Sequence, residues 1–210
     1  MIIELNKATL SVGKRQLFTD VSFMARPGDR VAITGTYGHN LTYIMQALLG
    51  MRSLDSGNVC VDGEPVLSRA AAFFRKSMSF VPQLISFGNM TVEDIAHEMC
   101  DERTNKAFAY SPDTLAQFLD QMSVDRCMMS RGFSMIEAAL AQRAVIAVTS
   151  MFRHPIALFD NPTSMQDEEG SGIVAKFLSS GYFDDVSMVV ATNDPQLTGI
   201  CNKTIDISAF

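Results

Sequence analysis

The sequence predicts an α/β protein whose strand-and-helix core carries a small antiparallel β-subdomain and a helical insertion. Three observations predict it. Short apolar stretches crowd residues 2–25, a glycine turn links a strand-type run to a helix-type run at residues 30–50, and strands alternate with helices in the second half.

The elements follow in order. "IIEL", "ATLSV" and "LFTDVSFMA", broken by "GKRQ", read as antiparallel strands joined by a hairpin, and "RPGD" ends that section. "RVAITG" reads as a buried strand. "LTYIMQALLGM" has helical spacing and stops at Gly50. "SGNVCVDGEPV" returns to strand and turn character, and residues 70–83 run through a helix or strand approach to "MSFVPQ". Residues 91–131 look helical, with Thr91 and Asp94 as a capping pair. "EAALAQRAVIAVTSMF" is the strongest helix, rich in Ala, Leu and Gln. "IALFD" and "VSMVVAT" read as buried strands separated by a helix near 167–180. A single domain over 1–210 is expected, with the helical insertion at about 84–135.

Composition narrows the function classes. At 210 residues and 47% hydrophobic content, the chain can bury a core without disulfide staples. Cys60, Cys100, Cys127 and Cys201 are scattered, with no C-x-x-C pair or histidine cluster, which argues against a zinc site and fits a reducing compartment. Net charge is −6, with no long basic block, which argues against a primary role on nucleic acid. No apolar run reaches the roughly 20 residues that span a bilayer. A cytoplasmic location is expected, with membrane contact only through a partner.

The stretch "GTYGHNLTY" occupies the turn between "RVAIT" and "IMQALLG". Strand, glycine turn and helix start are the parts of a phosphate-binding loop, in which backbone N–H groups and a helix N-terminus face anionic oxygens. Such a loop also needs a lysine on the terminal phosphates and a hydroxyl on magnesium. Gly35, Gly38 and Thr42 fit the pattern, and Thr36, Tyr37, His39 and Tyr43 lie within or beside it. Asn40 stands at a glycine position and Leu41 at the lysine position.

Further segments occur in a telling order: "FTDVSFMARPGDRVAITGTYG", "LDSGNVCVDGEPV", "MSFVPQ", "FGNMTVEDI", "IALFDNPTS", "SMQD" and "VVATND". Over nearly the whole chain they resemble the ATP-binding subunit of ABC transporters, in a catalytically degenerate form. The resemblance implies a P-loop NTPase core with an antiparallel β-subdomain and a helical subdomain. It also implies dimerisation around two ATP molecules, and contact with membrane-embedded permease subunits.

Transferred residue by residue, the resemblance makes Gln83 the Q-loop glutamine and Asp160 the Walker B aspartate that helps hold magnesium through water. Asp160 can instead cap a turn at its strand end, and Gln83 can be a simple helix-start residue. Asn161 occupies the catalytic glutamate position and Asn193 that of the switch histidine. An amide cannot accept a proton as a carboxylate does, and loss of a positioned base costs about 100- to 10,000-fold in rate. The adenine-stacking position falls near Val12, which has no ring. Counting back from Asp160 puts Ile136, Glu137, Ala138, Ala139 and Leu140 in the LSGGQ slots, without the serine or either glycine. An alternative register, "FSMIE" at 133–137, also lacks the glycine pair. Phe80, Leu84, Ile85, Phe87 and Met90 are read either as an apolar surface for a permease or as core filling.

Lysine, glutamate, histidine and signature are lost together. The reading is therefore a pseudo-ATPase acting as a structural or regulatory subunit, with ATP and Mg binding weak or absent. Its expected partners are an ABC permease or an active ABC ATPase subunit, as a homo- or heterodimer. Two alternatives stand beside it: a slow ATPase using substituted groups such as His39 and Glu137, and a cytosolic interaction module outside transport.

Overall fold

The computed structural model describes residues 1–36, 41–101, 105 and 110–209. Two sheets organise them. The first is antiparallel, in the order β2 (Arg15–Ala25), β1 (Ile3–Val12), β4 (Ser56–Val61) and β5 (Glu64–Pro65). β1 alternates buried and exposed side chains, so Ile3, Leu5, Ala8 and Leu10 face inward as a half-buried strand requires. The β1–β4 register shifts between Asn6 and Thr9, where Gly57 sits at φ +81°. A Cβ on Gly57 would lie 2.4 Å from the carbonyl oxygens of Asn6 and Lys7, so only glycine fits this crossing.

The second sheet is parallel, in the order β6 (Met78–Val81), β7 (Ile156–Asp160), β8 (Ser187–Ala191), β3 (Arg30–Thr34) and β9 (Lys203–Asp206). All residues of β7 and β8 are buried, which explains their continuous apolar runs. Because its strands run parallel, the segments leaving β3, β6, β7 and β8 emerge together at the C-terminal edge. Crevices at that edge of an open parallel sheet are where such folds bind ligands.

Helix α1 (Thr42–Leu48) follows the glycine turn after β3. Short α2 (Ala71–Phe74) precedes β6. Between β6 and β7 lie α3 (Val92–Asp101), α4 (Pro112–Gln121) and α5 (Ala138–Ser150), and both α3 and α4 pack on α5. The pair singled out for α3 closes reciprocally. The Thr91 N–H donates to Asp94 Oδ2 at 2.9 Å, and the Asp94 N–H donates to Thr91 Oγ1 at 3.0 Å. Arg143 on α5 donates from Nη1 to the Met122 carbonyl at 3.0 Å and ties α5 to the end of α4. Helices α6 (Glu168–Leu178) and α7 (Pro195–Gly199) complete the core, capped by Asp167 and Asp194.

Two apolar clusters result. One joins α3, α4 and α5 to α6 and includes Leu115, Phe118, Val145 and Phe177. The other lies between the antiparallel sheet, α1 and the parallel sheet, and includes Leu5, Phe18, Ile44 and Leu158. These clusters divide the apolar group expected around the Q-loop. Ile85, Phe87 and Met90 pack on the first, Phe80 on the second, and Leu84 is 81% exposed. The five residues therefore form no single surface. Gln83 likewise is no helix-start residue, because it lies in a bend well before α3 begins at Val92. Among the described residues no helix is long and apolar enough to cross a membrane.

Candidate nucleotide site

The C-terminal edge of the parallel sheet gathers most of the residues expected at the site. Gly35 and Thr36 leave β3, Asp160 ends β7, Asn161 follows it, and Asn193 lies just beyond β8. Adjacent registers fix these positions: Ile33 pairs with Ala191, and Ala191 with Asp160. Tyr37, Gly38, His39 and Asn40 lie outside the described residues.

Asp160 is 1% exposed, and neither carboxylate oxygen has a well-formed hydrogen bond. Burial pushes its carboxyl above the usual carboxylate range. The Thr42 side chain and the Gln83 backbone lie near enough to oppose that shift in part. The Thr42 hydroxyl and the Asp160 carboxylate are oxygen groups of the kind a magnesium ion takes, whereas the Gln83 backbone N–H beside them is a donor and not a ligand.

The phosphate side differs. Leu41 is half-buried at the start of α1, packed against the second apolar cluster, with no side-chain cap on the helix. Tyr43 packs on the same cluster and carries the Arg52 guanidinium 4.3 Å from its ring centroid. Leu41, Asn161, Asn193, Gln166 and Ser171 line a cavity of about 530 Å³. Its charged lining residues, among those described, are Asp167, Glu168 and Asp194, and no Lys, Arg or His joins them. Among the described residues, an anionic group entering there meets like charge.

Asn161 has φ +48°, and its N–H donates to the Ala191 carbonyl at 2.8 Å. Asn193 turns back on the loop: Nδ2 donates to the Gly35 carbonyl at 2.8 Å, and Oδ1 accepts from the Gly35 N–H at 3.1 Å. Val12 ends β1, 37% exposed, with an aliphatic side chain that offers no stacking face.

In the signature slots, Ile136 is buried and packs into the first cluster, whereas Glu137 and Ala138 are exposed at the start of α5. Glu137 precedes the helix without capping it through its side chain, and Ala139 and Leu140 are half-buried. Glu137, Ala139 and Leu140 share a second cavity with Arg143, Asp167 and Glu169.

One linkage went unforeseen in the sequence. Gln142 on α5 donates from Nε2 to Ser164 Oγ at 3.0 Å, and its Oε1 accepts from the Met165 N–H at 3.2 Å and Gln166 Nε2 at 3.0 Å. Gln166 also donates to the Ala139 carbonyl at 2.9 Å. The "SMQD" loop is thereby fastened to the N-terminal end of α5. The signal available was Gln142 itself, a polar residue among the small apolar residues of the strongest helix.

Residues 18–164, well over half of the chain, match the family model described as ABC transporter. The chain belongs to the ABC transporter family. An ABC transporter ATP-binding protein of Treponema denticola is 25% identical over 95% of the chain. An ATP-dependent lipid A-core flippase of Xanthomonas campestris is 25% identical over 82%. The chain spans only 39% and 30% of these two relatives. The ABC transporter ATP-binding protein YxdL of Bacillus subtilis is 25% identical over 97% of the chain and 80% of its own length. In fold, the dimeric structure of a bacterial ABC transporter cassette superposes with a TM-score of 0.82 at 19% identity, covering 98% of this chain and 94% of that one. An ATP-bound bacterial Atm1-family ABC exporter superposes at 0.81 and 17% identity, covering 99% of this chain and 37% of that one. The fold is thus that of an ABC ATPase cassette.

Proposed function

We propose that this chain is a pseudo-ATPase: an ABC-type cassette that serves as a structural or regulatory subunit of a membrane transport complex without hydrolysing ATP. The observation carrying the proposal is the cavity beside Leu41, whose described charged lining is entirely acidic. A hydrogen bond to a charged group contributes about 1.5–3 kcal/mol, so removal of the phosphate-loop cation alone weakens nucleotide binding by about 10- to 100-fold. Asn161 offers no general base, and Asn193 is engaged with Gly35 rather than facing a substrate. The signature slots present the Glu137 carboxylate in place of small hydrogen-bonding residues, so the chain supplies neither half of a composite site.

The magnesium-side residues Thr42, Gln83 and Asp160 persist together, which supports descent from a working site more than present catalysis. A permease or an active ABC ATPase subunit is the partner this reading requires, and any membrane contact passes through that partner. The test is ATP turnover by the purified protein, alone and with a co-purified partner. The reading predicts no turnover above a no-protein control for the protein alone. Turnover that disappears in His39→Ala or Glu137→Ala would favour the slow-ATPase alternative and overturn the proposal.

A further inference from the structure

β3 lies between β8 and β9 in the parallel sheet, and each neighbour sends one side chain to the start of the glycine turn. From beyond β8, Asn193 closes two hydrogen bonds on the Gly35 backbone, one through each atom of its amide. From beyond β9, Ser208 Oγ accepts from the Thr36 N–H at 2.6 Å. Ser208 is itself held, since its own N–H donates to Asp206 Oδ1 at 2.8 Å and Asp206 is in register with Thr34. The ladder beneath is continuous: the Thr192 N–H donates to the Ile33 carbonyl at 2.9 Å.

We propose that Asn193 and Ser208 are resident ligands of the phosphate loop, clamping its first two backbone N–H groups from opposite sides so that the start of the loop is ordered without nucleotide. A carboxamide and a hydroxyl of the same chain are the acceptors for the N–H groups where the loop leaves β3. The clamp explains why a chain that has lost its cation keeps this turn in register with β8 and β9. It rests on and extends the non-hydrolytic reading, because a loop start held by its own chain does not depend on bound nucleotide.

The clamp is read by residue-resolved amide hydrogen exchange, with and without Mg-ATP, beside thermal melts of the same samples. In the nucleotide-free natural protein the Gly35 and Thr36 amides are expected to exchange slowly. Asn193→Ala should speed Gly35 by at least about tenfold and leave Thr36 slow, and Ser208→Ala should do the reverse. Asn193→Asp, which keeps the acceptor, should keep Gly35 slow. Rapid exchange of both amides in the natural protein overturns the clamp, as does an equal acceleration at Ile33, which would mean global loosening. The two readings fail separately. Slow loop amides in a protein whose melting temperature rises with Mg-ATP contradict the vacant-site reading and leave the clamp standing. Fast loop amides with no response to Mg-ATP contradict the clamp alone.

Discussion

Replacing Asp160 by asparagine should stabilise the protein. Both carboxylate oxygens are buried at the end of β7 without a well-formed hydrogen bond, and burial has raised the carboxyl above its usual range. An unsatisfied buried polar group costs about 1–3 kcal/mol, and more when charged. Asparagine keeps one acceptor, replaces the other with a donor and removes the charge, so a gain of about 1–3 kcal/mol is expected. For a domain of this size each kcal/mol moves Tm by about 2–4 °C, which gives a rise of roughly 2–12 °C. The sign of the pH dependence follows from linkage. A carboxyl whose folded pKa is raised binds its proton more tightly in the folded state, so its penalty grows as pH rises above the unfolded value of 3.8 and levels off above the folded pKa. The advantage of Asp160→Asn should therefore be full at high pH and shrink as pH falls toward that value. Melts followed by circular dichroism, in EDTA and without nucleotide, provide the assay. A variant that melts below the natural protein in EDTA would refute the reasoning, because it would mean the carboxylate has a stabilising partner.

Three further outcomes follow from the same structure. Thr91→Ala removes half of the reciprocal cap on α3 and should cost about 1 kcal/mol, read as a Tm drop of about 2–4 °C. Gly57→Ala forces a Cβ against the Asn6 and Lys7 carbonyls at positive φ and should cost at least about 3 kcal/mol, seen as a lowered denaturant midpoint or as insoluble protein. Leu41→Lys should raise Mg-ATP affinity by about 10- to 100-fold in calorimetry, without turnover, because on the proposed reading Asn161 offers no base.

The fold was legible because its signals are local. The fully buried β7 and β8 had to be apolar throughout, half-buried β1 had to alternate, and the Thr91–Asp94 pair sits within one helical turn. The site was legible only by analogy of motif order, and the structure added what that order cannot carry. Asn193 meets Gly35 across 158 residues because β8 and β3 are neighbours, a fact of sheet order that neither segment contains. Gln142 meets Gln166 for a similar reason, across the junction of α5 with the loop after β7. Phe80 parted from Ile85 and Phe87 because a strand residue and the loop beyond it serve opposite faces of one sheet. The apolar character of Phe80, Ile85 and Phe87 was visible, but its direction was not.

The most direct test of the vacant-site account is a calorimetric titration of Mg-ATP into the natural protein. The account predicts no saturable binding below about 1 mM nucleotide. Saturable binding at about 10 μM or tighter would contradict it and would mean that groups other than a phosphate-loop lysine hold the triphosphate.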